Sequence, residues 1–515
     1  MLQSNARVRL YAMASLLALS FAQVAARADV KLANLFSKSA VLQQGTNVPV
    51  WGTAAPGEAV TVTVAGQTAA ATADANGKWV AKLPALTAGG PHELVAKGKN
   101  EVKVPDVMIG EVWIASGQSN MEWAVRNGSA TEQEVSSANY PNLRMFTVTK
   151  SVTSKPAKDV TGAWVPCTPQ SVPAFSAVGY YFGKSLHKSL NVPVGIIHTS
   201  WGGTPAESWT TLAAMEADAD LKPIVDRSRQ ALDGYAKHLE DWRAAAEKAE
   251  SAGEPIPPAP RDPSGESWRP AGLFNAMVAP LIPYAIKGVV WYQGESNAPR
   301  AYQYRKLLPA MIKSWREAWQ QQGGAGDFPF YIVQLANFTP PPTDADQPSD
   351  WAELREAQAL TAKMPNNGLA VTIDIGDAGD IHPRNKEDVG KRLALVALAK
   401  TYGKSDVVHA GPEYESMAVE GDKVRIKFAN AAGLTTKDGT PPKGFAVAGE
   451  DRKWYWATAA IEGEEVVVRS DKVAKPVAVR YAWAHNPPTN LYNKAGLPAT
   501  PFRTDDWKGV TADAR

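Results

Sequence analysis

Glu111-Val112-Trp113-Ile114-Ala115-Ser116-Gly117-Gln118-Ser119-Asn120-Met121 is the stretch whose reading decides the fold. Val112 to Ala115 is an unbroken apolar run that ends abruptly in small and polar residues. A run without polar alternation marks a strand covered on both faces, as in a parallel sheet. Gly117 lets the chain turn sharply, two residues before Ser119.

The same texture recurs along the chain. Strands are expected at Glu111–Ala115, Val194–His198, Gly288–Tyr292, Phe330–Leu335 and Leu369–Ile375. Helical spacing lies between them, as in Phe175-Val178-Phe182-Leu186 and Val389-Leu393-Val396. This alternation predicts an α/β domain on a parallel sheet. Four strands run into polar segments: Ser116 to Met121, Thr199 to Thr204, Gln293 to Asn297, and Gly376 to Pro383. Ligands bind beyond the carboxyl ends of strands in open α/β sheets, so the four segments are expected to converge.

On either side of this region the pattern turns to β. Residues 29–105 contain the alternating Val60-Thr61-Val62-Thr63-Val64 and the turn pairs Asn76-Gly77 and Gly89-Gly90, and predict a small sandwich. Residues 413–515 carry Lys423 to Phe428, Glu465 to Val468 and Pro476 to Tyr481, a second β-rich region. The α/β domain then spans 106–412, with a charged, Ala-rich segment of about 212–260 reading as a helical insertion. Residues 1–28 read as a signal peptide: Arg7 and Arg9, an apolar stretch from Leu10, and the small-x-small Ala26-Arg27-Ala28. Export to the periplasm or beyond is the expectation, with no membrane association after cleavage.

A length of 515 residues suits about three domains at ~150 residues each. The formal charge of +2, with no basic block, argues against a nucleic-acid partner. Cys167 is the one cysteine, so no internal disulfide can form. It stands between Pro166 and Thr168-Pro169 without a neighbouring His, and reads as structural. No metal is expected, because neither H-E-x-x-H nor paired-Cys spacing occurs.

The convergent segments supply the parts of acyl transfer: nucleophile, base, orienting acid and oxyanion donors. Ser119 stands at a strand-to-loop junction. His382 offers an imidazole that titrates near neutrality. Asp380, two residues before it, faces the same way in an extended loop; Asp377 is the next choice, and Glu295 remains open as acid or as a brace. Backbone N–H groups of Ser119 and of Gly202 or Gly203, with the Gln293 amide, are the candidate oxyanion donors, each worth ~3 kcal/mol of barrier. His198, inside the apolar run Gly195-Ile196-Ile197-His198, reads as structural. A conventional α/β-hydrolase elbow needs G-x-S-x-G, and Met121 stands at the last position here. A non-catalytic carbohydrate-binding protein is the alternative from another class.

Gly117-Gln118-Ser119-Asn120-Met121, Trp201-Gly202-Gly203-Thr204-Pro205, Trp291 to Asn297 and Ile381-His382-Pro383 resemble the blocks of sialate O-acetylesterase-related SGNH hydrolases. Leu35-Phe36, Val41 to Gln44, Val479 to Trp483 and Asn490 to Asn493 are similar to that family's flanking β segments. The resemblance implies a three-layer α/β/α esterase domain, no cofactor, and acetylated carbohydrate as substrate, with xyloglucan and xylan among the candidates. It implies Ser119 as nucleophile, His382 as base, and a glycine of Gly202-Gly203 with Gln293 as oxyanion donors. The wider superfamily often has Asp three residues before the His, where this chain has Gly379, so the acid stays open between Asp380 and Asp377. Asn297 is a possible supporting residue.

Trp123, Trp201 and Trp209 lie in or near the catalytic loops and could stack on sugar rings, whereas Trp291 reads as core. Sialate recognition would favour a paired arginine. Only Arg126 and Arg384 lie near the Ser119 and His382 motifs, so neutral plant-type oligosaccharides are expected over sialates, the alternative.

Overall fold

The computed structural model describes residues 29–515; the expected signal segment, 1–28, lies outside the described residues. The central sheet is built on β1 (Glu101–Gly117), with β2 (Tyr140–Thr147), β3 (Trp164–Cys167), β4 (Val194–Ser200), β5 (Gly288–Tyr292), β6 (Phe330–Val333) and β7 (Asn367–Ala370). Their spatial order is β3-β2-β4-β1-β5-β6-β7. Neighbours from β2 to β7 pair in parallel, while β3 runs antiparallel to β2, so the expected parallel sheet is a mixed one.

The observed strands differ from the expected ones in instructive ways. β2 was not anticipated, because Tyr140-Pro141-Asn142 opens it with turn-like residues and only Leu143 to Phe146 are buried. β6 stops at Val333, where Gln334 turns its amide to the Arg355 carbonyl. β7 ends at Ala370; Val371 and Ile373 leave the sheet and pack into the core of the C-terminal β region. Hydrophobicity there marks contact between regions and not strand.

β1 is continuous across positions 105 and 106. Its first half pairs antiparallel with Gly89–Lys97, Met108 to Gly110 pair in parallel with Val41–Gln43, and its second half lies between β4 and β5. The N-terminal β region is thus joined to the α/β region by a shared strand and one continuous hydrophobic core. The C-terminal region holds two four-stranded sheets. Arg355 fastens it on: fully buried, its guanidinium donates to the carbonyls of Leu335, Ala336, Ala484 and His485.

Four helices cover the sheet: α2 (Ala177–Leu190), α4 (Ala301–Gln321), α5 (Asp350–Ala362) and α6 (Lys386–Lys400), while α3 (Lys222–Ala252) is largely exposed. α2 packs on α6, and α4 on α5. The ends of α2 are set by sequence: Ser176 accepts the Gly179 N–H at its start, and Asn191 takes the left-handed conformation at its end. Trp291, Trp209, Trp315 and Phe330 pack mostly edge to face beside the sheet. No helix among the described residues is long and apolar enough to cross a membrane.

Candidate active site

Gly117 ends β1 with φ +140, and a Cβ there would stand 2.1 Å from the Tyr292 carbonyl oxygen. Only glycine lets β1 and β5 close up at this point. The chain then enters α1 (Ser119–Glu122), one helical turn whose Met121 and Glu122 N–H groups bond back to the Gln118 carbonyl. The first N–H groups of a helix have no intrahelical acceptor, so the Ser119 amide has no partner within α1.

Ser119 Oγ lies 2.8 Å from His382 Nε2, across 263 positions of sequence. The His382 loop is pinned from several sides. Asn120 Nδ2 donates to the Ile381 carbonyl at 3.1 Å, the Ser129 N–H donates to the Arg384 carbonyl, and the Trp123 indole stacks on the imidazole with centroids 4.8 Å apart. Burial and the Lys386 ammonium hold the imidazole below its ordinary value, against the opposing charge of Asp380.

Asp380 Oδ1 accepts the His382 backbone N–H at 2.8 Å and lies 3.6 Å from Nδ1, a charge contact longer than a hydrogen bond. Asp377 turns its Oδ1 to the Gly379 N–H. Glu295 is occupied elsewhere: Oε1 accepts from Asn120 Nδ2, Oε2 is buried without a partner, and burial pushes its carboxyl upward.

Gly202 lies over the nucleophile; a Cβ there would stand 3.3 Å from the Ser119 Cβ. Its N–H donates to Glu122 Oε2 at 2.6 Å, and the other Glu122 oxygen accepts from Lys150 Nζ. Lys150 sits over the half-buried Trp201 ring, 5.4 Å from its centroid. Gly203 takes the left-handed φ of +72. A cavity of about 540 Å³ opens in front of this group, lined by Ser119, Trp123, Arg126, Lys150, His198 and His382 among others.

Two expected residues are corrected. Gln293 is fully buried; its Nε2 donates to Asn297 Oδ1 and the Thr204 carbonyl, and its Oε1 accepts from Tyr304. With both amide atoms engaged it has no donor to offer an oxyanion, and instead braces the loop that carries Gly202. Trp209 is likewise fully buried, with Nε1 donating to Thr204 Oγ1, so it is core and not a sugar platform. Asn297 links Gln293, the Ala206 N–H and Glu207 in the same brace. His198 is buried, bonded to Ser200 Oγ and edge-on to Phe175. Cys167 is buried too, its thiol pushed up to about 12 by desolvation.

Four further residues surround the site: Asn120, Glu122, Lys150 and Lys386. Asn120 and Glu122 stand in or beside the Ser119 motif and Lys386 lies four residues after His382, so spacing alone could have flagged them. Lys150 follows β2, which carries no motif.

A family model described as "carbohydrate esterase, sialic acid-specific acetylesterase" matches residues 109–245 and 266–399. Human sialate O-acetylesterase is 29% identical, over 92% of this chain and 92% of its own, and the mouse enzyme 30%, over 92% and 94%. Among solved structures, a carbohydrate acetylesterase from Xanthomonas citri superposes with a TM-score of 0.80 at 39% identity, covering 93% of this chain and all of its own.

Proposed function

The chain belongs to the sialic acid-specific acetylesterase family of carbohydrate esterases, and from that premise we propose that it deacetylates plant cell-wall oligo- and polysaccharides through an acetyl-enzyme on Ser119. The observation that carries the mechanism is the 2.8 Å contact between Ser119 Oγ and His382 Nε2 in front of an open cavity. His382 takes the hydroxyl proton as Oγ attacks the acetyl carbonyl. The tetrahedral intermediate places its negative oxygen toward the Ser119 N–H and, the Gly202 N–H being held by Glu122 Oε2, toward the Gly203 N–H. On collapse, His382 returns the proton to the sugar oxygen, and the alcohol leaves. Water, deprotonated by the same imidazole, then releases acetate and restores Ser119. Asp380 steadies the imidazolium that forms in both halves.

The finer architecture we infer is the SGNH three-layer type, supported by the helix pairs α2–α6 and α4–α5 and by the Gly-Gln-Ser junction. The domain limits proposed are 29–105, 106–412 and 413–515, with export directed by residues 1–28.

The charge of the cavity supports a neutral sugar over a sialate. Arg126 stands there without a second arginine, and the Lys150 ammonium is already paired with Glu122. Carboxylate recognition favours a fork of paired donors, which this wall does not present. Acetate release from acetylated xyloglucan or xylan oligosaccharides should therefore exceed, in kcat/KM, that from O-acetyl sialic acid. A preference for the sialate overturns the substrate and keeps the mechanism. Ser119→Ala should abolish turnover of all acetates without a change in folding; more than a few per cent of residual activity overturns the mechanism.

A further inference from the structure

Lys386 breaks two local rules at once. It is the first residue of α6, where the helix dipole disfavours a cation, and it is fully buried. The cap itself is ordinary: Asn385 accepts the Asp388 N–H, and Glu387 and Asp388 supply the acids expected in a first turn. Something other than helix formation therefore holds the lysine inward. Such violations concentrate where function requires them.

Its partners identify the requirement. Nζ donates to Asn120 Oδ1 at 2.5 Å and to the Pro383 carbonyl at 2.6 Å. Asn120 follows the nucleophile, and Pro383 follows the base. The far end of Asn120 donates to Glu295 Oε1 at 2.5 Å and to the Ile381 carbonyl at 3.1 Å. One buried chain, Lys386–Asn120–Glu295, thus ties together the loops that carry Ser119, His382 and the Gln293–Asn297 segment. Neither ion has another charged partner in contact, so each relies on the other through the Asn120 amide.

We propose that Lys386 is a positioning residue for acetyl transfer: through Asn120 and Pro383 it sets the Ser119–His382 approach, with Glu295 as its buried counter-charge. This rests on the Ser119–His382 reading above. Lys386 also has an electrostatic role. His382 faces Ser119 from α1, Trp123 just beyond that helix and Asp380 from its own loop, and feels the Lys386 charge from α6, while Glu122, Arg126 and Lys150 line the same cavity. Of these, the Lys386 charge pushes the imidazole toward its neutral, proton-accepting form. The lysine's own titration is drawn down by burial and held up by Glu295 and Asp380, so at the acid edge of activity it carries its charge.

The test is a pH profile of kcat/KM and of kcat on a small aryl acetate, with folding followed by thermal unfolding. Lys386→Met should lower kcat about hundredfold with KM within about threefold, as a misplaced nucleophile–base pair does. It should also move the acid limb upward, because a positive charge beside His382 is gone. Glu295→Gln keeps the acceptor for Asn120 and leaves the Lys386 contacts to Asn120 and Pro383 in place, so its loss of kcat should be smaller. A merely structural role would lower the thermal midpoint of Lys386→Met without moving its acid limb. If Lys386→Met fails to fold because Glu295 is left unpaired, Lys386→Met/Glu295→Gln removes both charges and should fold. Its kcat should stay low, since the clamp on Pro383 is missing. Native kcat and an unmoved acid limb in the folded variants overturn the proposal. Ser119→Ala run in parallel separates this failure from failure of the esterase mechanism, which only an active Ser119→Ala would show.

Discussion

The Trp123 indole and the His382 imidazole lie nearly parallel, 13° between planes and 4.8 Å between centroids, with Trp123 Nε1 donating to the Asn127 carbonyl. One face of the tryptophan is therefore turned to the base and its N–H to the backbone, while the residue also lines the cavity. A residue read from sequence as a sugar platform is first of all a wall that fixes the imidazole.

Trp123→Ala should lower kcat on a small aryl acetate and on an acetylated oligosaccharide alike, by about tenfold, because the base loses its support in both reactions. Trp201→Ala should weaken the oligosaccharide reaction more, since only that substrate has rings to stack. Equal selectivity for the two variants would return Trp123 to a substrate-binding role. Steady-state kinetics on the substrate pair decides.

Asp380→Asn should cost kcat strongly, as the wrong imidazole tautomer is favoured once the carboxylate is gone. Asp377→Asn should do little, because its carboxylate serves the Gly379 N–H. The reverse ranking would move the acid to Asp377, and two mild effects would leave a Ser119–His382 pair acting without an acid.

His198 gives a stability prediction with a defined sign. Burial draws its imidazole down to about 4, while an unfolded chain titrates near ~6.5. The unfolded state therefore takes up a proton first, and folding stability is lost as pH falls from about 6.5 toward 4, by about 3 kcal/mol from this group. His198→Gln should show a shallower loss between pH 7 and pH 4.5 in urea unfolding. Parallel losses in the two proteins would place the acid sensitivity elsewhere.

Gln293→Ala should lower stability and kcat together, in contrast to a true oxyanion donor, whose loss leaves folding untouched. The truncation takes the side-chain acceptor from Tyr304 Oη and the side-chain donor from the Thr204 carbonyl in a buried site, at about 1–3 kcal/mol for each group left unpaired. Trp209→Ala should be costlier in stability, about 3–5 kcal/mol for a fully buried indole. Thermal unfolding checks both, and a Gln293→Ala protein with native stability but a hundredfold lower kcat would restore the oxyanion role.

Sequence alone determined the elements that depend on local pattern. Apolar runs ending in Gly117, Gly202 and Gly294 marked three central strands and the loops beyond them, because a strand buried on both faces has no polar residue to spare. The motifs in those loops carried the family as well. Tertiary structure decided what each loop residue is free to do. Gln293 and Trp209 sit in the expected loops, yet Gln293 gives its amide to Asn297 nearby and to the Thr204 carbonyl 89 positions away, and Trp209 is buried under Trp315, whose indole donates to its carbonyl from 106 positions away. Lys386 is a helix-starting lysine by sequence and a buried clamp in space, held by Asn120 from 266 positions away. Hydrogen-bond capacity is finite, so which donor remains for substrate depends on contacts between distant residues, and no local window of the chain contains them.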